Sequence, residues 1–185
     1  MDNTTPEKET QQQVIKENVF YGLILAFFTL LLHFLFIQKF RVELYTDVTR
    51  SLGYYVALNL FNITAGAWIL LRLRRQKKLL MFNNAVLRLT GIYAVVGVLF
   101  ISGIAFHNAV IDPDLVDDYK TELIQTYQAN EDLSEEEKEE AIAAIQQQTL
   151  TITPLSFIVL YVIWLCFSLL FSLLLGAVFK KEKQK

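Results

Sequence analysis

Residues 89–118 read LTGIYAVVGVLFISGIAFHNAVIDPDLVDD, and they contain the transition that decides the fold. The first 23 of them carry no Asp, Glu, Lys or Arg, whereas the last seven include four aspartates. A helix of about 20 apolar residues crosses the roughly 30 Å of hydrocarbon in a bilayer. The stretch therefore predicts a membrane-spanning helix, residues 89–111, that ends at an acidic segment in water.

Three further stretches of this kind, residues 19–38, 52–71 and 154–179, bring the predicted spans to four. Hydrophobic residues make up 54% of the chain, which argues against an ordinary soluble domain. We therefore predict an all-α integral membrane protein, a bundle of four transmembrane helices. Residues 1–18 are predicted to be a polar tail and residues 19–185 the membrane domain. The first span is too long for a signal peptide, and no small-residue cleavage site follows it.

The distribution of lysine and arginine predicts the orientation of these spans. If both termini are cytoplasmic, twelve of the 17 basic residues lie inside and five lie outside. The inverted orientation reverses this ratio, and cytoplasmic loops are enriched in basic residues. We therefore predict cytoplasmic termini and an outward position for the loop of residues 112–153.

This outward loop is acidic, and its residue order predicts helices. It carries twelve Asp and Glu residues against two Lys residues. Asp112 before Pro113 is predicted to be the N-cap of a first helix, and Ser134 with Glu137 the capping box of a second. The loop is thus predicted to be an outward-facing acidic helical hairpin between spans three and four.

One face of the first hairpin helix is apolar at helical spacing. The candidate partner-face residues are Leu115, Tyr119, Leu123 and Tyr127. A divalent-cation site is the alternative use of so many carboxylates, although the Asp-x-Asp-x-Asp-Gly pattern of a calcium loop is absent from the sequence.

Four polar residues interrupt the spans, in the outer leaflet of the predicted topology: His33, Asn59, Asn62 and His107. The simpler interpretation is interhelical hydrogen bonding that specifies packing, at about 0.6–2 kcal/mol for each bond. The alternative is a ligand or metal pocket, although two histidines without a third ligand make a poor zinc site. Carboxylates and strong bases are absent from the predicted spans, which argues against an ion-coupled transporter.

Small residues predict where two spans approach each other closely. The two candidate tracks are Thr90, Ala94 and Gly97 in span three, and Ser168, Ser172 and Gly176 in span four. Such tracks let helix backbones come together in membranes. We expect these two spans to pack closely near their cytoplasmic ends, or one track to form a homodimer contact.

Several segments, in this order, resemble a known family. The basic turn LRLRRQ follows span two, IDPDLVDDYKTELI follows span three, LSEEEKEEAI lies later in the acidic loop, and TP opens the last span. Together they resemble a family of small four-span bacterial membrane proteins known only as a domain of unknown function, family 4199. The resemblance covers about residues 19–182. It implies a multi-pass protein of the bacterial inner (cytoplasmic) membrane and supplies no catalytic residues.

The sequence favours no chemical activity. It has no Gly-rich phosphate loop, no Gly-x-Ser-x-Gly elbow and no His-Glu-x-x-His motif, so we expect neither an enzyme nor a cofactor.

A net charge of −2 argues against nucleic-acid binding, and the single Cys166 excludes an intramolecular disulfide. The expected partners are the lipid bilayer and either another protein or a second copy of the chain.

Two functions remain open from the sequence. The first is a structural or interaction protein that uses its outward hairpin. The second is a small transporter or channel with a polar site in the outer leaflet.

Overall fold

The computed structural model describes residues 11–76, 82–147 and 153–179, and within these ranges the regular structure is helical throughout. The helices are α1 (Gln11–Phe40), α2 (Glu43–Thr46), α3 (Val48–Gln76), α4 (Phe82–Phe106) with a π-helical turn (His107–Ile111), α5 (Leu115–Ala129), α6 (Glu135–Gln147) and α7 (Pro154–Phe179). The predicted all-α fold is confirmed.

Four helices are long and apolar enough to cross a membrane: α1, α3, α4 with its π-helical turn, and α7. The first three extend past the predicted spans because a helix need not stop where the hydrocarbon stops. The QQQVIKEN segment at the start of α1, for example, is rich in good helix formers.

Some predicted features lie wholly or partly outside the described residues. They are the first ten residues of the polar tail, residues 77–81 after the basic turn, residues 148–152 of the acidic loop, and the C-terminal lysines from residue 180 onward.

Helix α4 is the centre of the bundle. It packs along both α1 and α7, and its Leu89, Ile92 and Val96 side chains are fully buried. Leu25 of α1 and Leu70 of α3 belong to the same apolar core. We call the end of the bundle where α4 begins the basic end, and the end where α5 and α6 lie the hairpin end.

Helix α7 leaves most of its apolar surface uncovered. Ser168, Ser172 and Gly176 are its buried residues, whereas Leu155 and Val178 are more than two-thirds exposed. An apolar surface of this extent is stable when hydrocarbon covers it. The exposure therefore fits a helix in contact with lipid on most sides.

The two helices of the acidic loop, α5 and α6, pack against each other. Helix α6 has the expected capping box: the Ser134 backbone N–H donates to Glu137 Oε2 at 2.8 Å, and the Glu137 N–H donates to Ser134 Oγ at 3.3 Å. The Ser134 backbone N–H and hydroxyl both donate to Glu137 Oε2, and these two bonds lower the pKa of the Glu137 carboxyl below its ordinary value because they favour its charged form.

The predicted N-cap of α5 is wrong. The N-cap position is Asp114, whose side chain makes no capping hydrogen bond, and α5 begins at Leu115. The Asp112 carboxylate binds the guanidinium of Arg41 instead. The bidentate pair between the Arg41 guanidinium and the Asp112 carboxylate is stronger than a single bond from a neutral backbone N–H. The Asp112 side chain therefore binds Arg41 and does not cap α5.

Candidate functional site

His33 joins three helices near the hairpin end. Its side chain is 2% exposed, and its Nδ1 lies 2.8 Å from the hydroxyl oxygen of Tyr54 on α3. Its ring packs edge-on against Phe100 of α4, with ring centroids 5.4 Å apart. The other ring nitrogen, Nε2, is buried without a hydrogen-bond partner in the part of the chain that the structure describes.

Asn62 forms a second polar contact, one turn closer to the middle of the bundle. The Thr29 hydroxyl donates to the Leu25 carbonyl at 2.8 Å and lies 3.3 Å from Asn62 Oδ1. The Asn62 amide donates to the Leu58 carbonyl at 2.8 Å, and the Tyr93 hydroxyl donates to the Asn62 carbonyl at 2.8 Å. These bonds connect α1, α3 and α4.

His107 lies beyond His33, at the start of the π-helical turn, and it is buried. Its ring stacks on the ring of Phe34, with centroids 5.5 Å apart. The centroid of the His33 ring lies 5.7 Å from the centroid of the same Phe34 ring. Asn59 does not join the group, because it lies on the exposed side of α3 and donates to the Tyr55 carbonyl at 2.7 Å.

The structure therefore brings three of the four predicted polar residues to the interior, in contact with side chains of neighbouring helices. Within the described residues, no group of three or more His, Cys, Asp or Glu side chains is placed to hold a metal ion.

The small-residue tracks lie between α4 and α7. Gly97 faces Trp164, whose indole N–H donates to the Tyr93 carbonyl at 2.8 Å. Gly176 faces Val86: a Cβ atom added to Gly176 would lie 2.8 Å from Val86 Cγ2.

The other members of these tracks make polar contacts or are enclosed. The Ser172 hydroxyl donates to the Ser168 carbonyl at 2.7 Å, and the Ala94 carbonyl accepts a bond from Tyr161 at 3.3 Å. The Thr90 hydroxyl is buried without a partner among the described residues.

A buried ion pair at the basic end was not predicted. Arg88 of α4 is 3% exposed, and its Nη1 lies 2.7 Å from Oε2 of Glu17 on α1. The sequence interpretation assigned Arg88 to a loop because it directly precedes span three. Glu17 likewise lies just before span one, so the sequence places both charges near the same membrane surface but does not indicate that α1 and α4 are neighbours.

A second unpredicted set of contacts, here called the clasp, fixes α5 to the connection between α1 and α3. Arg41 Nε and Nη2 each lie 2.8 Å from an oxygen of Asp112, and Nη1 lies 2.5 Å from Asp118 Oδ2. The Thr46 hydroxyl donates to Glu122 Oε1 at 2.8 Å. The hydrogen bonds from Arg41 lower the pKa of the Asp112 carboxyl, and they raise the pKa of Arg41.

Arg41 adopts a left-handed backbone conformation, with φ of 38°. Such a conformation is uncommon for a residue with a side chain and costs of order 1–3 kcal/mol. It turns the chain out of α1, and the Arg41 side chain reaches Asp112 and Asp118 from this position.

The predicted partner face is partly used by the bundle itself. Leu115 is 2% exposed, and the Tyr119 ring packs edge-on against Tyr45 of α2 with centroids 6.1 Å apart. Leu123 is half-buried, whereas Tyr127 is 36% exposed and is therefore the member of this set that lies most openly on the surface.

A model of the family described as protein of unknown function (DUF4199) matches residues 19–181. The chain belongs to this family. The predicted resemblance is confirmed, and the DUF4199 region contains the clasp, the hairpin and the α4–α7 contact, while Glu17 lies just before it. No curated protein and no solved structure matches the chain.

Proposed function

We propose that this DUF4199 chain is a protein of the bacterial inner membrane with cytoplasmic termini and an outward hairpin. The basic end supports this orientation, because Arg72, Arg74 and Arg75 lie at the end of α3. At the hairpin end, three of the basic residues have acidic partners. The pairs are Arg41 with Asp112 and Asp118, Arg50 with Glu43 and Asp47, and Lys138 with Glu135. The orientation itself is supported by the count of Lys and Arg, twelve on the cytoplasmic side against five outside, since acidic residues contribute little to topology.

The function we propose is interaction, without catalysis, through the hairpin. The observation that supports this function is the clasp. It holds α5 on the bundle, while the acidic faces of α5 and α6 stay exposed. A surface held in one position loses less conformational entropy on binding than a mobile one. The exposed carboxylates, among them Glu136, Glu139 and Glu140, suit a partner with a basic surface. Tyr127 supplies an aromatic contact within this acidic surface.

The second candidate function is a small transporter or channel, and one observation favours it. His33 Nε2 is a buried polar atom without a partner among the described residues, as expected of a group that meets a solute. However, the groove between α1 and α3 and the groove beside Tyr45 and Tyr119 are not lined by His33, Asn59, Asn62 or His107. The interior polar side chains are engaged in helix contacts, which supports the first function over the second.

The test is photo-cross-linking of a tagged chain in native membranes, with the cross-linking amino acid in place of the exposed Glu131, close to Tyr127 on the hairpin. We expect one protein to be captured in constant ratio to the chain, and the complex to be lost in Tyr127→Glu. The matched control is Gln128→Glu, which adds the same charge at an exposed position about 100° around α5.

Recovery of the chain alone, or equal recovery with both variants, contradicts the interaction proposal. A solute-flux assay on His33→Ala then tests the transporter, since that variant removes the unpartnered ring nitrogen and leaves the hairpin surface intact.

A further inference from the structure

A groove of about 540 Å³ lies between α1 and α3 on the basic-end side of the bundle. Its walls are apolar and include Ile24 and Phe28 of α1 and Phe61, Ala65 and Trp68 of α3. Nearer the hairpin end, the same two helices are joined by the polar contacts of His33 and Asn62 described above. The groove lies beyond these contacts, and Thr64 and Ala65 are the smaller α3 residues among its lining.

Arg72 lies at the basic end of this groove and is its charged lining residue. Its guanidinium carbon lies 5.5 Å from the centroid of the Trp68 ring, a cation–π geometry. Arg72 is exposed, has no ion pair within the described residues, and lies just before the last turn of α3, which carries Arg74 and Arg75. The groove therefore combines a long apolar floor with positive charge at one end and no acidic lining residue.

The length of the groove matches one leaflet of a bilayer. Phe61 and Arg72 are separated by about 17 Å along α3, at about 1.5 Å per residue. One leaflet contributes about 15 Å of hydrocarbon. With the four long helices across the membrane, the apolar floor thus lies at the depth of acyl chains and Arg72 at the depth of lipid headgroups.

We propose that the groove binds an anionic phospholipid of the surrounding bilayer. One acyl chain lies along Ile24, Phe28 and Ala65, and the phosphate accepts hydrogen bonds from Arg72. A guanidinium suits this role because its N–H groups match two phosphate oxygens at once. The positive charge of Arg72 in the groove lining favours anionic over zwitterionic headgroups. The site is separate from the hairpin and does not depend on the proposed partner.

Trp68 provides a direct readout of occupancy. The chain has two tryptophans, so Trp164→Phe leaves Trp68 as the sole fluorophore of this kind. The full-length chain is reconstituted in vesicles in which brominated phosphatidylglycerol or brominated phosphatidylcholine replaces part of the lipid. Bromine quenches a nearby indole, so quenching at equal lipid fractions reports relative occupancy of the groove.

We expect phosphatidylglycerol to be preferred about fivefold, the effect of about one arginine near a membrane surface. Arg72→Gln should abolish most of the preference, whereas Arg75→Gln, in the same exposed turn but outside the groove lining, should retain most of it. Equal quenching by both lipids in the starting protein, or a preference that survives Arg72→Gln, would overturn the proposal.

A second pair of variants tests the groove independently of charge. Ala65→Phe fills the groove and should reduce quenching by either lipid. Ala177→Phe makes the same change at an exposed position on α7 and should leave quenching unchanged. Unchanged quenching in Ala65→Phe would place the lipid outside the groove and overturn the proposed site.

Discussion

At Gly97, the backbone of α4 lies against the indole ring of Trp164 on α7, and no side chain fits between them. A Cβ atom at this position would lie 2.3 Å from Trp164 Cδ1 and 2.6 Å from Nε1. The rigid indole ring is fixed by its hydrogen bond to the Tyr93 carbonyl, so it has little freedom to move aside. The absence of a side chain at Gly97 therefore sets the distance between these two helices.

We predict that Gly97→Ala destabilises the bundle by about 1–3 kcal/mol, the usual cost of inserting a methyl group into a packed contact. The measurement is unfolding in mixed micelles with increasing dodecyl sulfate. Gly53→Ala is the matched control, because no atom lies within 4 Å of its added Cβ. Alanine is also the better helix former, so that control should be neutral or slightly stabilising. Equal midpoints for the two variants would contradict the close contact at Gly97.

Ser134 caps α6 with both its backbone and its hydroxyl. We predict that Ser134→Ala destabilises α6 by about 1 kcal/mol, the typical loss for a missing N-cap, and speeds hydrogen exchange of its first-turn amides. The control is Thr121→Ala, because the Thr121 hydroxyl bonds the Asp117 carbonyl within α5 and caps nothing. Unchanged exchange in α6 of the Ser134 variant would show that the cap is not formed in solution.

At the scale of elements, the clasp is the connection that decides where the hairpin lies. We predict that Arg41→Gln speeds hydrogen exchange throughout α5, because Asp112 and Asp118 lose their cation together. Lys39→Gln removes a nearby charge that contacts the Phe40 ring, not the hairpin, and should leave exchange unchanged. If both variants exchange alike, the hairpin is held by other contacts.

The clasp should also respond to pH. The pKa of Asp112 in the folded chain lies below its ordinary value of 3.8, so the contribution of this carboxylate to stability is complete above about pH 4. It is lost as pH falls further, through the lowered pKa. Protection of α5 in the natural chain should therefore stay constant from neutral pH to about pH 4 and decrease below it. In Asp112→Asn, which keeps the pair between Arg41 and Asp118, the decrease should be smaller.

The sequence predicts these elements better than it predicts their contacts. Span lengths follow from hydropathy, and the capping box follows from Ser134 and Glu137 alone. Helices α1 and α7, however, are apolar on nearly every side, so periodicity does not show which face is inward. The partners of His33 and Asn62, namely Tyr54 and Thr29, depend on that rotation.

The unpredicted ion pairs have a related cause. Arg41 and Asp112 are 71 residues apart, as are Glu17 and Arg88, and each lies at the edge of a span. Single-sequence patterns indicate that such charges are near a membrane surface. They do not indicate which helices are neighbours, and the pairing depends on that order.

At the scale of the whole molecule, the orientation in the membrane is testable with cysteine labelling. In a Cys166→Ser background, we predict that an impermeant maleimide labels Gln128→Cys in intact cells. It should label Asn83→Cys, at the basic end, only after permeabilisation, since the two exposed positions lie at opposite ends of the bundle. The reverse pattern would show that the hairpin is cytoplasmic.

The natural chain, which keeps Cys166, supplies a separate control for that experiment. Cys166 is exposed on the surface of α7 but lies near the middle of that helix, at the depth of the hydrocarbon. A polar maleimide should therefore fail to label it before or after permeabilisation.

Helix α7 packs on the bundle through one face and is the last of the long helices to be synthesised. The contact between α4 and α7 therefore forms after the earlier helices have been made. About 70 residues separate the end of the π-helical turn from the end of α7, so at roughly 5–20 residues per second the ribosome completes α7 roughly 3–14 s after the earlier spans. During that interval, the α4 face that includes Ala94 and Gly97 contacts lipid alone. A chain truncated or stalled before α7 would keep that face open and could accept the last helix of another copy. The final helix is thus a point at which newly made chains can exchange segments or be recognised as incomplete.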